Sequence, residues 1–188
     1  MLNEKKWKGL ITDELLSAAV LDSNLVGPIL PPFPSFTLPT GPAPAMRLQF
    51  LYIANSATGN NTVEIYDIFN PLFPVRIGEF NGGNLNFPVD FAITGTILYI
   101  SNLNDDTVEI YDITNPIIPV RVGEFNAGNL DGPAGLIITG TILYVTNIND
   151  NTVEIYDITN LLSPVHVGEF NSGNLDQPIG MAIFSLFG

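Results

Sequence analysis

Thr62-Val-Glu-Ile-Tyr-Asp-Ile68 decides the fold, because the same seven residues return twice further along the chain. The copies occupy residues 107–113 and 152–158, which gives a period of 45 residues. Apolar and polar side chains alternate within each copy, a pattern that predicts a β-strand with two different faces. A strand that returns at this spacing indicates an array of similar β-rich units.

The residues around this strand repeat with the same period. Three further motifs each have a copy 45 positions later, namely Gly78-Glu-Phe-Asn81, Gly83-Asn-Leu85 and Gly95-Thr-Ile-Leu-Tyr99. Each unit therefore offers four strand candidates, which in the middle unit cover 91–94, 96–101, 107–113 and 120–125. Four short strands in about 40 to 50 residues are typical of β-propeller blades. We predict an all-β fold in which residues 46–188 form a β-propeller-like array of three four-stranded blades.

The order of the strand candidates bears on how the array ends. It starts with a strand of the second type at 48–54 and finishes with one of the first type at 180–184, which makes twelve strands and three blades. Propellers usually close with about four to eight blades. One explanation is a homodimer that completes a six-bladed ring, with the last strand entering the partner's first blade. The other is a shortened propeller, favoured because Phe184-Ser-Leu-Phe-Gly188 departs from the repeat.

Composition excludes several classes of function. Six Lys and Arg stand against 19 Asp and Glu, so the net charge is −13 and nucleic acid is a poor partner. The absence of Cys removes disulfides, thiolate metal sites and cysteine nucleophiles, and one His does not make a His-rich metal site. No apolar run reaches the roughly 18 residues that a membrane span needs.

Residues 1–45 have a different character from the repeats. Seven prolines lie between Pro28 and Pro44, and proline both lacks an N–H and restrains the residue before it. We expect a mostly disordered, extended tail that exposes Phe33 and Phe36, preceded by a short helix over 12–21 that Thr12 caps. A docking segment is the alternative to a plain tail, because exposed Phe among prolines suits recognition.

The repeated carboxylates are the obvious candidates for chemistry. They are Glu64, Glu109 and Glu154, and Asp67, Asp112 and Asp157. Residues that recur in every blade are expected to serve blade geometry, whereas catalysis needs asymmetry. The alternatives are a general acid and base or a metal-lined channel. Asn104-Asp-Asp106 and Asn149-Asp-Asn151 offer a weak Ca²⁺ site without the spacing of a known calcium loop.

Two further positions depart from strict repetition. Asp90 aligns with Gly135 and Gly180, where glycine indicates positive φ or a close backbone approach, so Asp90 is either tolerated there or lines the channel as a functional carboxylate. His166 aligns with Arg76 and Arg121, which predicts a solvated strand residue and not a catalytic base. We expect no cluster of His and carboxylates, no catalytic residues, no metal site and no cofactor.

The repeats resemble a known family of propeller sequences. Tyr144-Val-Thr-Asn147, with Tyr99-Ile-Ser-Asn102 and Tyr52-Ile-Ala-Asn55, looks like the YVTN-type repeats, which overlap with LVIVD-type repeats. The resemblance covers residues 46–188 and implies a β-propeller. Such families include surface-layer and secreted proteins and some enzymes, so function does not follow from the fold.

Residues 21–42 resemble the exosporium leader of Bacillus spore-surface proteins of the collagen-like glycoprotein type. The run is Leu21-Asp-Ser-Asn-Leu-Val-Gly-Pro-Ile-Leu-Pro-Pro-Phe-Pro-Ser-Phe-Thr-Leu-Pro-Thr-Gly-Pro42. The resemblance implies targeting and docking to a basal-layer protein through Leu25, Val26, Gly27, Pro28, Pro31, Pro32, Phe33, Phe36 and Pro39. It implies trimming within Ser17, Ala18, Ala19 and Val20. The family's collagen repeats are absent, since Gly41-Pro-Ala-Pro-Ala45 leads straight into the array.

These observations predict a non-catalytic structural protein of the spore surface, the exosporium, anchored by its leader and displaying the array. A spore-tethered propeller enzyme, such as a lactonase-like hydrolase, is one alternative. A ligand-binding or adhesion module is the other. A cluster of His and carboxylates would favour the enzyme, and an exposed aromatic patch would favour the binding module.

Overall fold

The computed structural model describes residues 48–57, 59–128, 130–171 and 173–186, all within the unit Met46–Gly188. These residues form eleven strands: β1 Phe50–Asn55, β2 Thr62–Asp67, β3 Val75–Phe80, β4 Pro88–Thr94, β5 Ile97–Asn102, β6 Thr107–Asp112, β7 Val120–Phe125, β8 Pro133–Thr139, β9 Ile142–Asn147, β10 Thr152–Asp157 and β11 Val165–Phe170. Strands β1–β3, β4–β7 and β8–β11 make three antiparallel sheets, here called blades 1, 2 and 3. The predicted all-β, propeller-like array is confirmed.

Repetition of sequence gives repetition of register. The seven-residue motif forms β2, β6 and β10, and in each blade its Thr pairs with the Asn that ends the preceding strand. Opposite the Ile and Tyr of each motif strand, the outer strand carries a bulge of one extra residue. The blades can therefore be compared position by position, and any difference between equivalent residues reflects their neighbours.

The core lies between the blades. Strand β5 of blade 2 shows this best, because its side chains alternate between two clusters. Leu98 and Ile100 pack with Val63 of blade 1, whereas Tyr99 packs with Leu143 of blade 3. Blade 2 is thus buried on both faces, while blades 1 and 3 are each covered by a neighbouring blade on one face.

The predicted twelfth strand does not form within the single chain. Residues 180–184 are not part of a strand, and blade 1 has three strands instead of four among the described residues. Ile179 accepts a hydrogen bond from Thr146 Oγ1 (3.1 Å), as Ala134 of the next blade accepts one from Ser101 Oγ (2.6 Å). The segment thus begins where a further blade would have its innermost strand. It pairs with no strand of the described chain, because β1 of the same chain lies in blade 1 at the other end of the array and the prediction pairs the segment with a second copy.

The predicted leader lies outside the described residues. This covers the docking residues from Leu25 to Pro39, the trimming region from Ser17 to Val20, and the short helix over 12–21. No helix in the described segments is long and apolar enough to cross a membrane.

Candidate functional site

The repeated glutamates face a basic residue on the neighbouring strand. In blade 2, Arg121 Nε donates to Glu109 Oε2 at 2.5 Å, and its Nη2 donates to Glu124. In blade 1, Arg76 bridges Glu64 and Glu79 in the same way. One guanidinium therefore forms ion pairs with two carboxylates and joins adjacent strands, which is the geometric role expected from repetition.

The two pairs differ in burial, and the pKa of the glutamate follows. The side chain of Glu64 is 15% exposed, and its hydrogen bond from Arg76 holds its pKa below the ordinary value. The side chain of Glu109 is only 1% exposed, and burial raises its pKa although Arg121 opposes the shift. The physical cause is the neighbouring blade, because blade 1 covers this face of blade 2 and no described residue forms a blade over blade 1.

The repeated aspartates close the corner after each motif strand. Asp67 and Asp112 accept hydrogen bonds from the backbone N–H two residues on, both at 2.7 Å. Asp157 accepts from the N–H of Thr159 at 2.8 Å and from its hydroxyl at 2.6 Å. The side-chain bond from the following threonine, Thr114 or Thr159, is the main cause that lowers the pKa of Asp112 and Asp157. These are Asx turns, in which the carboxylate serves the backbone.

Asp90 joins two blades. Its Oδ2 accepts a hydrogen bond from the N–H of Leu136 at 2.8 Å. The expected close approach is confirmed at Gly135, where an added Cβ would lie 2.0 Å from the carbonyl oxygen of Ile179. It is wrong at Gly180, which has nothing within 4 Å and no positive φ, because the described chain places no blade beyond it.

The polar hairpins also bond to the segment that follows the outer strand of their own blade. Asp106 Oδ1 accepts from the N–H of Gly132 at 2.8 Å, and Asn151 Oδ1 accepts from the N–H of Gln177 at 2.7 Å. Asp106 and Asn151 both adopt positive φ, which Asp and Asn tolerate. The oxygens considered for Ca²⁺ therefore have a structural use. Asp106 and Asn151 are 45 residues apart, and this repetition of Asn or Asp at the end of the hairpin is the sequence feature that predicts the contact.

The third blade brings together a cluster that the sequence analysis did not expect. His166 Nε2 lies 2.7 Å from Glu154 Oε2, and one ligand-type atom of each of Glu154, His166 and Glu169 lies within 4.8 Å of the others. The side chain of His166 is 27% exposed, so it is half-buried and not fully solvated as predicted. The cluster lies on the two outer strands of the blade. The cluster was not predicted because His166 aligns with Arg76 and Arg121, which are not metal ligands.

The outer face of blade 3 is apolar and partly open. Residues of β8–β11 and of the C-terminal segment line a groove of about 340 Å³: Ile137, Tyr144, Val153, Phe170, Met181 and Ile183. Phe170 is 46% exposed, whereas its equivalent in blade 2, Phe125, is 8% exposed. The difference arises because blade 3 covers Phe125.

Comparison with solved structures places this architecture among propellers. A functionally unknown protein from Desulfotomaculum acetoxidans is 21% identical with a TM-score of 0.56, covering 71% of this chain and 45% of that one. A putative 6-phosphogluconolactonase from Bacteroides fragilis is 22% identical with a TM-score of 0.58, covering 70% and 37%. The periplasmic gluconolactonase of Pseudomonas aeruginosa is 11% identical with a TM-score of 0.56, covering 69% and 38%.

These likenesses establish the fold alone, because fold does not determine function at such low identity. The chain spans less than half the length of each of these three proteins. No protein-family model and no curated protein matches the sequence.

Proposed function

We propose that the chain is a non-catalytic structural protein of the bacterial spore exosporium, held by its leader and closed into a six-bladed ring by a second copy. The observation that carries the assembly is that the two end faces of the array are complementary halves of one repeated interface. The spore location rests on the resemblance of residues 21–42 to exosporium leaders.

The interface between blades has two recurring contacts. Tyr52 Oη donates to the carbonyl of Pro116 at 2.8 Å, and Tyr99 Oη donates to the carbonyl of Leu161 at 2.7 Å. A Phe at the end of each outer strand meets a Tyr of the next blade. The ring centroids are 5.0 Å apart for the pair Phe80 and Tyr111, and 4.7 Å apart for the pair Phe125 and Tyr156. The same contacts thus join blade 1 to blade 2 and blade 2 to blade 3.

The end blades carry the unmatched halves of these contacts. Blade 3 offers Tyr144 and Phe170, which correspond to Tyr99 and Phe125. Blade 1 offers the ring of Tyr66 and the carbonyl of Pro71 to a neighbour on its other face. Leu51 and Ile53 also lie on that face and are 41% and 43% exposed. A second copy that brings its blade 1 against blade 3 repeats an interface already present twice within the chain.

The missing strand fits the same assembly. Among the described residues, blade 1 lacks an innermost strand, and the C-terminal segment begins where a further blade would have one. In a two-copy ring this segment pairs with β1 of the partner and completes its first blade. The inner edge of blade 1, which β1 would otherwise leave open, is then covered, and its unpaired backbone groups gain partners.

Transplanting the leader tests the location. Residues 1–45 fused to a fluorescent protein should decorate the rim of sporulating Bacillus cells' spores. The matched control scrambles residues 21–42 and keeps their composition, so it should leave fluorescence diffuse in the mother cell. Diffuse fluorescence from the native leader would refute the location while leaving the ring untouched.

A propeller hydrolase is the second candidate, favoured by the likeness to the two proteins described as lactonases. Against it, the repeated carboxylates of the described chain have the structural partners given above. Incubation of the full chain with gluconolactone and its 6-phosphate tests this directly. Hydrolysis above the spontaneous rate, lost on unfolding, would replace the non-catalytic proposal.

A further inference from the structure

Blade 3 differs from blades 1 and 2 in one charge. Each blade carries two glutamates on its outer strands, and in blades 1 and 2 an arginine bridges them. In blade 3 the glutamates are Glu154 and Glu169, and His166 takes the place of the arginine. A guanidinium only donates hydrogen bonds, whereas an imidazole nitrogen can offer a lone pair to a metal ion, so the third blade places a possible ligand where the other two place a fixed cation.

We propose that Glu154, His166 and Glu169 bind a divalent transition-metal ion, with Zn²⁺ as the ion that best suits the ligand set. One imidazole nitrogen and two carboxylate oxygens are ligand types of zinc sites that keep a fourth position open. In blade 2 the guanidinium of Arg121 is a cation held between the two glutamates that correspond to Glu154 and Glu169. This inference is independent of the spore location and of the ring.

The surroundings of the cluster hold the ligands in place. The side chain of Glu154 is 1% exposed, and its Oε1 accepts a hydrogen bond from Thr152 Oγ1 at 2.7 Å. That bond leaves Oε2 directed at His166, a supporting interaction of the kind that orients metal ligands. The imidazole packs against the ring of Tyr156, with centroids 5.4 Å apart. An added Cβ at Gly128 would come within 2.5 Å of its Cδ2. The ring therefore lies between Tyr156 of its own blade and the segment that connects β7 to β8.

The distances require only a small adjustment. A tetrahedral ion with bonds of about 2.0–2.2 Å separates its ligand atoms by roughly 3.3 Å. The Glu154 and His166 atoms, now 2.7 Å apart, must open by under about 1 Å, and the exposed Glu169 side chain closes on them. Rotation about side-chain torsions supplies such movements.

The test titrates Zn²⁺ into the untagged full chain by calorimetry, followed by NMR of the imidazole. The chain has one His and no Cys, so every imidazole signal reports this site. We expect one ion per chain, with the His166 resonances shifting in step with the heat. His166→Arg rebuilds the arrangement of blades 1 and 2 and should abolish this binding without unfolding. Thr152→Val, which frees the buried carboxylate, should weaken it by about tenfold.

The reverse substitution provides the matched gain of function. Arg121→His gives blade 2 the same three residue types, with Glu109 and Glu124, and should raise the stoichiometry to two ions per chain. The inference is overturned by a wild-type isotherm that matches that of folded His166→Arg. Zinc binding that leaves the His166 resonances unmoved also overturns it, as does an unchanged stoichiometry in Arg121→His that remains folded by circular dichroism.

Discussion

Gly135 lies against the backbone of Ile179, so closely that a Cβ at position 135 would sit 2.0 Å from the Ile179 carbonyl oxygen. The contact joins blade 3 to the segment that follows it. Gly135→Ala should therefore destabilise the fold by about 1–3 kcal/mol, because backbone must move to admit the methyl group. Urea unfolding of the full chain measures the change.

The control is Gly180→Ala at the equivalent position of the next repeat. No atom of the described chain lies within 4 Å of its added Cβ and its φ is not positive, so in the monomer we expect a change within about 0.5 kcal/mol. Equal destabilisation by the two substitutions would contradict the packing described for the C-terminal segment.

Loss of the hydroxyl should lower the free energy of unfolding at one buried tyrosine and not at another. Tyr99 Oη donates to the carbonyl of Leu161, so Tyr99→Phe leaves an acceptor unsatisfied and should cost about 1–2 kcal/mol. Tyr111 Oη is buried and has no hydrogen-bond partner among the described residues, so Tyr111→Phe should be neutral or stabilising. Both substitutions keep the ring, and the comparison by urea unfolding isolates the hydroxyl. A larger loss from Tyr111→Phe than from Tyr99→Phe would refute the assigned hydrogen bonds.

The buried tyrosines should make the stability of the fold depend on pH in alkali. Burial raises the pKa of Tyr99 and of Tyr111 from 10.0 to about 12, and it raises the pKa of Tyr156 as well. The unfolded chain loses these protons near pH 10 and the folded chain does not. The stabilisation is therefore complete below pH 10.0 and is lost as the pH rises towards about 12.

Ultraviolet titration of phenolate measures this directly. At about pH 11 the folded chain should show fewer phenolates than the same chain in guanidinium, and its urea midpoint should fall between about pH 10 and 12. Identical titration curves in the two solvents, with native circular dichroism retained, would contradict the burial of these rings.

The exposed ring of Phe170 lies in the proposed joint, the contact between blade 3 and blade 1 of a second copy, so a substitution there tests the dimer. Phe170→Glu places a charge on the proposed joint and should convert a species of about twice 20.4 kDa into one of 20.4 kDa. Ile118→Glu adds the same charge at an exposed site of the middle blade and should leave the mass unchanged. Sedimentation equilibrium of the full chains gives both masses. A wild-type monomer at every concentration, or dissociation caused equally by both variants, would argue against the joint.

The sequence was sufficient to predict the blades because their signals are local. The motif that starts at Thr62 recurs with its alternation intact, and turn residues bound every strand, so strand positions and pairing partners follow. The structural use of Asp112 is likewise local, since its hydrogen-bond donor is two residues away.

The errors concern contacts between residues that are distant in the sequence. Whether residues 180–184 form a strand depends on what lies beside them, and the repeat pattern carries no information about that neighbour. The cluster at His166 was missed for a related reason. Alignment with Arg121 describes the position of the histidine, whereas its chemistry depends on Glu154 of the neighbouring strand and Glu169 of its own strand.

Disulfide trapping tests the central claim, the head-to-tail ring, most directly, because the natural chain has no cysteine. Tyr66→Cys and Phe170→Cys place thiols at the two halves of the proposed joint, equivalent to the ring pair of Phe125 and Tyr156. Mixing the two single variants under oxidising conditions should give a covalent dimer that neither variant forms alone. A mixture that stays monomeric on a non-reducing gel, or cross-links no better than each variant alone, would contradict the account.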